Sequence, residues 1–317
     1  MITFININGD IINNIDDFTY YKYFYQYKKT YLLENKEYSY KLICDDKEIS
    51  DIEKLINYKD NIITILKYKK YEYKLKDWIK IENLNYYFLS KNLNAMNLLE
   101  KKKSKINWAN LSSNPNAIHL LEENKNNIDW SMLSKNINAI HLLEKNLNKI
   151  NWEFLSENLN AISILEENKD KIVWKNLSTN PNAIHLLEEN KNKINWANLS
   201  LNPKAIHLLE TNQEKINWTN LSKNMNAIEL LKKNIDKINW HSLSLNPSGI
   251  NLLCLNPEKI NWDFLSNNPC AIHLLINNKD NINWNYLSMN SNALHLLKEN
   301  QDKINWEMLS HNPSIFE

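Results

Sequence analysis

The sequence predicts a mostly α-helical protein, an α-solenoid of 22-residue two-helix repeats, preceded by a small α+β domain. Tryptophan stands at Trp108, Trp130, Trp152, Trp174, Trp196, Trp218, Trp240, Trp262, Trp284 and Trp306, a period of 22 without insertion or deletion. Units this short cannot bury their own apolar faces and must stack on their neighbours. Aromatic usage also switches along the chain. Twelve of the 15 tyrosines lie between Tyr20 and Tyr73, whereas tryptophan begins at Trp78 and then marks every repeat. Together these observations divide the chain into residues 1–75, the α+β domain, and residues 76–317, about ten to eleven repeats.

The first domain reads strand, strand, helix, strand, short element, strand. ITFINI and IINNI flank Asn8-Gly9-Asp10, where glycine suits a tight hairpin turn. Thr19 to Leu33 lacks Gly and Pro and carries Tyr20, Phe24, Tyr27 and Tyr31 at helical spacing, with Thr19 as cap. YSYKLIC and NIITILKY are strand-like, separated by the Asp45-Asp46 turn and a short piece with Ile49 and Leu55.

One repeat, Asn180 to Leu201, shows how a unit is built. Asn180-Pro181 starts a helix of about ten residues, because Asn accepts a free first-turn amide and Pro fits the first helical position. Ala183, Ile184, Leu187 and Asn190 share one face of it, and His185, Glu188 and Glu189 the other. Asn195 starts a second helix of about six residues, with Ile194 and Leu199 at the spacing of a hydrophobic staple. The tryptophans are expected to be the buried repeat core. The degenerate first unit, LNYYFLSKNLNAMNLLE, has Tyr86 for Trp and Met96 for Ile, and reads as a cap or coupling unit.

Several polar slots recur with the same period. Asparagines Asn124, Asn146, Asn168, Asn190, Asn212, Asn234, Asn256, Asn278 and Asn300 are expected to form a ladder between units, and the Ser112 to Ser310 series to supply turn or cap hydroxyls. Histidines His119, His141, His185, His207, His273 and His295 read as polar surface, since packed helices lie about 8 to 10 Å apart and zinc needs each nitrogen within about 2.1 Å. Lysines Lys149, Lys171, Lys193, Lys215, Lys237, Lys259 and Lys303 form a row at the inter-helix turn that could track phosphates. The acidic row Glu100, Glu122, Glu144, Glu166, Glu188 and Glu210 nearly cancels it, so a solvated edge is expected.

Composition narrows the function classes. The 38 Lys and Arg against 37 Asp and Glu leave a net charge of +1, without the basic field of a dedicated nucleic-acid binder. Every basic side chain is lysine, so the planar two-pronged recognition that arginine gives is absent. The abundance of Asn and Ile follows A/T-rich codons. Cys44, Cys254 and Cys270 show no framework spacing, which fits a reducing compartment. No apolar stretch approaches the length of a membrane span, and a cytoplasmic protein is expected.

Two resemblances add to this reading. The phrase YKLICDDKEISDIEKLINYKDNIITILKYKK and the element order resemble the ubiquitin-like β-grasp over about the first 70 residues. There is no terminal di-glycine after Lys70, so the resemblance implies a fused docking module rather than a conjugating one. The repeat, INWxxLSxNPNAIHLLExNxxK, resembles the asparagine-rich tandem repeats of giant DNA virus proteins over residues 84–317. That implies an infected cell or a virion as the setting, and no catalytic residues.

No serine differs from its repeat-mates in the way a nucleophile with a base would, so no enzyme activity, cofactor or metal is expected. A protein–protein interaction scaffold or adaptor is expected, with a nucleic-acid-binding solenoid as the alternative. The candidate partner-binding residues are those that break the pattern. Cys254, Leu255 and Ile276 interrupt the charged row, and Phe264 and Tyr286 belong to a variable slot with Phe88, Met132, Phe154 and Met308.

Overall fold

The computed structural model describes residues 73–317 throughout and, before them, five β-strands. Contacts divide the chain into Met1–Glu72 and Tyr73–Glu317. In the first unit β1 (Ile2–Ile5) pairs antiparallel with β2 (Ile11–Ile15) and parallel with β5 (Ile62–Lys69). Strand β3 (Tyr38–Cys44) runs antiparallel to β5 and to β4 (Lys47–Glu48), giving the order β2-β1-β5-β3-β4. The expected helix at Thr19 to Leu33 and the turn at Asn8 to Asp10 lie outside the described residues.

The second unit is the helical repeat array. In the Asn180 repeat, a 3-10 turn at Pro181–Ala183 leads into the helix Ile184–Glu189, and a second 3-10 turn at Lys191–Lys193 precedes the short helix Trp196–Leu199. Asn180 and Asn195 each accept a first-turn amide, so both helix starts fall where the sequence places them. The core consists of leucine, isoleucine and alanine: Ala183, Leu187 and Leu199 are fully buried and Ile194 nearly so. The tryptophans pack against this core but stay half-buried, contrary to the expectation of a buried indole row.

A buried polar ladder joins successive units. Asn202 accepts from the Lys204 amide at 3.0 Å and donates through Nδ2 to the carbonyls of Ser178 and Asn180 in the preceding unit, at 3.1 and 3.0 Å. Ser200 donates to the Trp196 carbonyl at 2.8 Å, and its Oγ accepts from the Asn217 amide of the next unit at 3.1 Å. The Asn190 series does something else. Asn190 donates at 2.9 Å to the Leu186 carbonyl of its own helix, so this row caps each unit internally and is not the inter-unit ladder expected.

The array has no free ends. Asn92 of the first unit donates to the carbonyls of Ser310 and Asn312, each at 3.0 Å, repeating the rung that Asn202 makes to its predecessor. Asn85 N–H donates to Ser310 Oγ at 2.9 Å and Asn94 Nδ2 to the Pro313 carbonyl at 3.0 Å, again the ordinary inter-unit bonds. Ten full units run from Asn85 to Ile304, and the eleventh is composite. Residues 305–317 supply its short helix, while residues 73–84 supply its turn Ile81–Asn83 and the buried Leu84. An antiparallel bridge, Leu75 to Phe316, ties the halves together, flanked by reciprocal bonds of 2.8 Å between Lys74 and Glu317.

The solenoid is therefore a closed ring. The unit at Tyr86 is no cap, because it packs on the last unit as the others pack on theirs. Residues Tyr73 to Leu75 belong to the ring rather than to the preceding domain, because Leu75 forms the clasp. Neighbouring Trp helices approach more closely than neighbouring IHLLE helices. In a closed ring the closer set lies at the smaller radius, so the Trp helices line the concave face and the IHLLE helices the outer one.

Two outcomes follow from this bonding. Asn202→Ala leaves the Ser178 carbonyl buried without its donor and the Asn180 carbonyl with the Ala183 amide alone, and should cost about 2 kcal/mol in thermal or denaturant unfolding. The exposed Asn192→Ala should change stability by no more than about 0.5 kcal/mol; equal effects would sink the ladder. Leu75 and Phe316 form a non-hydrogen-bonded pair, whose Cα atoms lie about 4.5 Å apart, within disulfide range. In a chain whose three native cysteines are replaced by serine, L75C/F316C should oxidise to a circular species of altered gel mobility, and an open rod would leave both thiols free.

Candidate functional site

The repeated slots lie on distinct surfaces of the ring. Lysines of the inter-helix turn reach back over the tryptophan that precedes them by 19 residues: Lys149 over Trp130 at 4.4 Å, Lys193 over Trp174 at 4.5 Å, Lys215 over Trp196 at 4.6 Å. Such contacts contribute about 0.5 to 1 kcal/mol each at exposed sites. The lysine row is thus a solvent-exposed edge, as expected, whose ammonium groups also lie over half-buried indoles. Lys105 over Tyr86 at 4.8 Å continues it into the first unit.

Four members of the histidine row pair with four of the glutamate row. His141 Nε2 lies 2.9 Å from Glu122 Oε1 of the preceding unit, and His185 and His207 lie at the same distance from Glu166 and Glu188. His119 is 2.6 Å from Glu100. This hydrogen bond holds the Glu100 carboxyl below its ordinary value, and burial opposes the shift. The pattern ends in the later units, where Cys254 and Ile276 stand in the glutamate slot before His273 and His295. Among the described residues no group of three or more His, Cys, Asp or Glu could hold a metal ion. No helix there is long and apolar enough to cross a membrane.

The serine series is fully engaged. Each hydroxyl from Ser90 to Ser310 donates to the carbonyl four residues earlier, as Ser112 does to Trp108 at 2.8 Å. The same oxygen accepts an amide of the next unit, as from Asp129 at 3.0 Å.

The candidate partner-binding residues fall on two faces, not one. Cys254, Leu255 and Ile276 lie on the outer helices Ile250–Leu255 and Ile272–Asn277, where Leu255 is 78% exposed. Phe264 and Tyr286 lie on the concave helices Trp262–Ser266 and Trp284–Met289, with ring centroids 6.1 Å apart. Helix periodicity could not separate the faces, because each set belongs to a different helix of its unit.

Ring closure adds a neighbour that sequence distance hides. Phe88 packs against His311 with centroids 4.2 Å apart and the rings tilted by 45°, in the register that sets Lys135 over Phe154 at 3.9 Å. Phe88 therefore follows Met308 on the concave face. Phe264, Tyr286, Met308 and Phe88 occupy four consecutive units, and Asn176, Asn198 and Asn220 hold the same slot farther round. Burial and the nearby Lys91 lower the pKa of His311, while Glu307 raises it. Comparison with protein-family models, curated proteins and solved structures finds no match to this chain.

The Glu100 shift gives a measurable outcome. With its folded value depressed, the stabilisation is present above the ordinary glutamate value and is lost as pH falls through the lower folded one. Side-chain NMR should find the Glu100 midpoint below the ordinary glutamate value, and His119→Ala should raise it. A Glu100 midpoint unmoved by that substitution would assign the shift to another cause.

Proposed function

We propose that this chain is a non-enzymatic protein–protein interaction scaffold or adaptor. The observation that carries the reading is Leu255, 78% exposed beside Cys254 and near Ile276, itself 40% exposed, where earlier units carry charge. A clustered break of this kind on an otherwise regular polar surface is what a partner contact needs. The engaged serine hydroxyls support the non-enzymatic part, because a nucleophile needs a base and these oxygens are held in the backbone ladder. The lysine row supports the nucleic-acid alternative less than its sequence suggests, since its ammonium groups lie over indoles.

The first unit we read as a ubiquitin-like β-grasp module for docking. The strand order β2-β1-β5-β3-β4, with β1 parallel to β5, supports this. The repeat signature supports a giant-virus setting, with action in the host cytosol or the virion.

Affinity capture from infected cells with the full chain tests the reading. L255D/I276D should weaken the captured partner by about 2 kcal/mol or more, while Glu122→Gln changes little. Raising salt from about 50 to 500 mM should leave an apolar contact largely intact and strip a nucleic acid held by phosphate contacts. Retention by L255D/I276D would move the site off the outer face, and recovery of nucleic acid lost with salt would favour the alternative.

A further inference from the structure

We propose that the concave arc formed by Phe264, Tyr286, Met308 and Phe88 seats one amphipathic α-helix of a partner protein, with a basic flank on Asp263 and Glu307. The inference rests on the scaffold reading and assigns it a second surface, distinct from the outer patch at Leu255.

The arc exists only because the ring is closed. Phe88 stands 220 residues before Met308 in the chain, yet it occupies the next unit, held by the Asn92 and Asn94 rungs. Met289 extends the apolar strip at the end of its short helix, the His311 ring lies against Phe88, and Leu245 holds the slot before Phe264 that His311 holds before Phe88. On the other side of the ring the same slot is amide-rich and internally bonded. Asn198 donates to the Lys175 carbonyl and Asn220 to that of Ala197, each at 2.8 Å.

The shape of the arc selects a helix. Four of eleven units subtend about 130° of the ring, comparable with the apolar stripe of about 100° or more on an amphipathic helix. Eleven helices at a spacing of about 8 to 10 Å place their axes on a circle about 30 Å across, which leaves room for a helix of about 10 to 12 Å. Laid parallel to the four short helices, the guest packs as in a helix bundle.

The charge on the arc selects the flank. Asp263 and Glu307 are exposed on the arc margin at the starts of their helices, and no described residue forms an ion pair with either. Asp263 accepts only the Asn283 amide, at 2.7 Å. Lys91 stands at the other margin. A guest with lysine or arginine toward the Asp263 and Glu307 end matches both margins.

The test is selection from a displayed library of 18-residue helical peptides, varied in stripe and flank, against the full chain. Counter-selection uses F88S/Y286S, whose folding is checked by circular dichroism and melting. Expected is enrichment of amphipathic helices with a basic flank that bind F88S/Y286S at least about tenfold more weakly. They should bind the opposite-arc control Lys223→Ser unchanged. The charge reversal D263K/E307K should reject these peptides and enrich acidic flanks instead. Enriched peptides that bind F88S/Y286S equally, that are extended or Pro-rich, or that ignore the charge reversal overturn the arc. Peptides lost with L255D/I276D instead leave the scaffold reading standing without it, and no enrichment at all, together with no captured partner, removes both.

Discussion

Everything in the ring depends on one buried asparagine per unit. Its amide caps the turn that starts the outer helix and, with the other end, binds two carbonyls of the preceding unit, as Asn202 does. Of the two carbonyls, that of Asn180 also accepts the Ala183 amide of its own turn, whereas that of Ser178 relies on Asn202, and a buried carbonyl without a donor is costly. A hydrocarbon side chain in this slot could fill the space but not supply the bonds. The leucine core holds each unit together, and the asparagine fixes the register between units.

That division of labour explains what the sequence discloses. The period, the helix starts and the buried leucines are local properties, and the spacing from Asn180 to Leu201 is enough to place them. The asparagine of the NPNA turn also advertises its capping role, since Asn-Pro is a local signal. Its second role depends on where the preceding unit lies, and the more regular Asn190 series looked the better ladder while bonding only within its own helix. Pairing of His185 with Glu166, and of Lys193 with Trp174, likewise spans 19 residues, a separation that only the folded array defines.

Closure was hidden for a different reason. No single unit encodes it, because the curvature is a small angle accumulated eleven times over. The two ends nevertheless carry a clue. Ser90 and Asn92 in the first unit, and Ser310 and Asn312 in the last, keep the complete bonding set, where an open solenoid would replace one partner with a solvated polar cap. Trp306 is retained, yet the residues after Ser314 depart from the repeat, and the counterparts of the missing part are found before Asn85. For the candidate site the same geometry matters: Leu255 and Phe264 are nine residues apart and lie on different faces, whereas Met308 and Phe88 lie side by side.

A composite eleventh unit also limits how this gene can change its length. An open solenoid gains or loses repeats freely, since a duplicated unit simply lengthens the stack. Here each unit turns the chain by about 33°, and one more or one fewer would leave the Leu75 strand unable to meet Phe316 unless every other interface adjusted its angle. The repeat number is thus held by geometry, and drift within units remains open while unequal crossing-over between them is penalised.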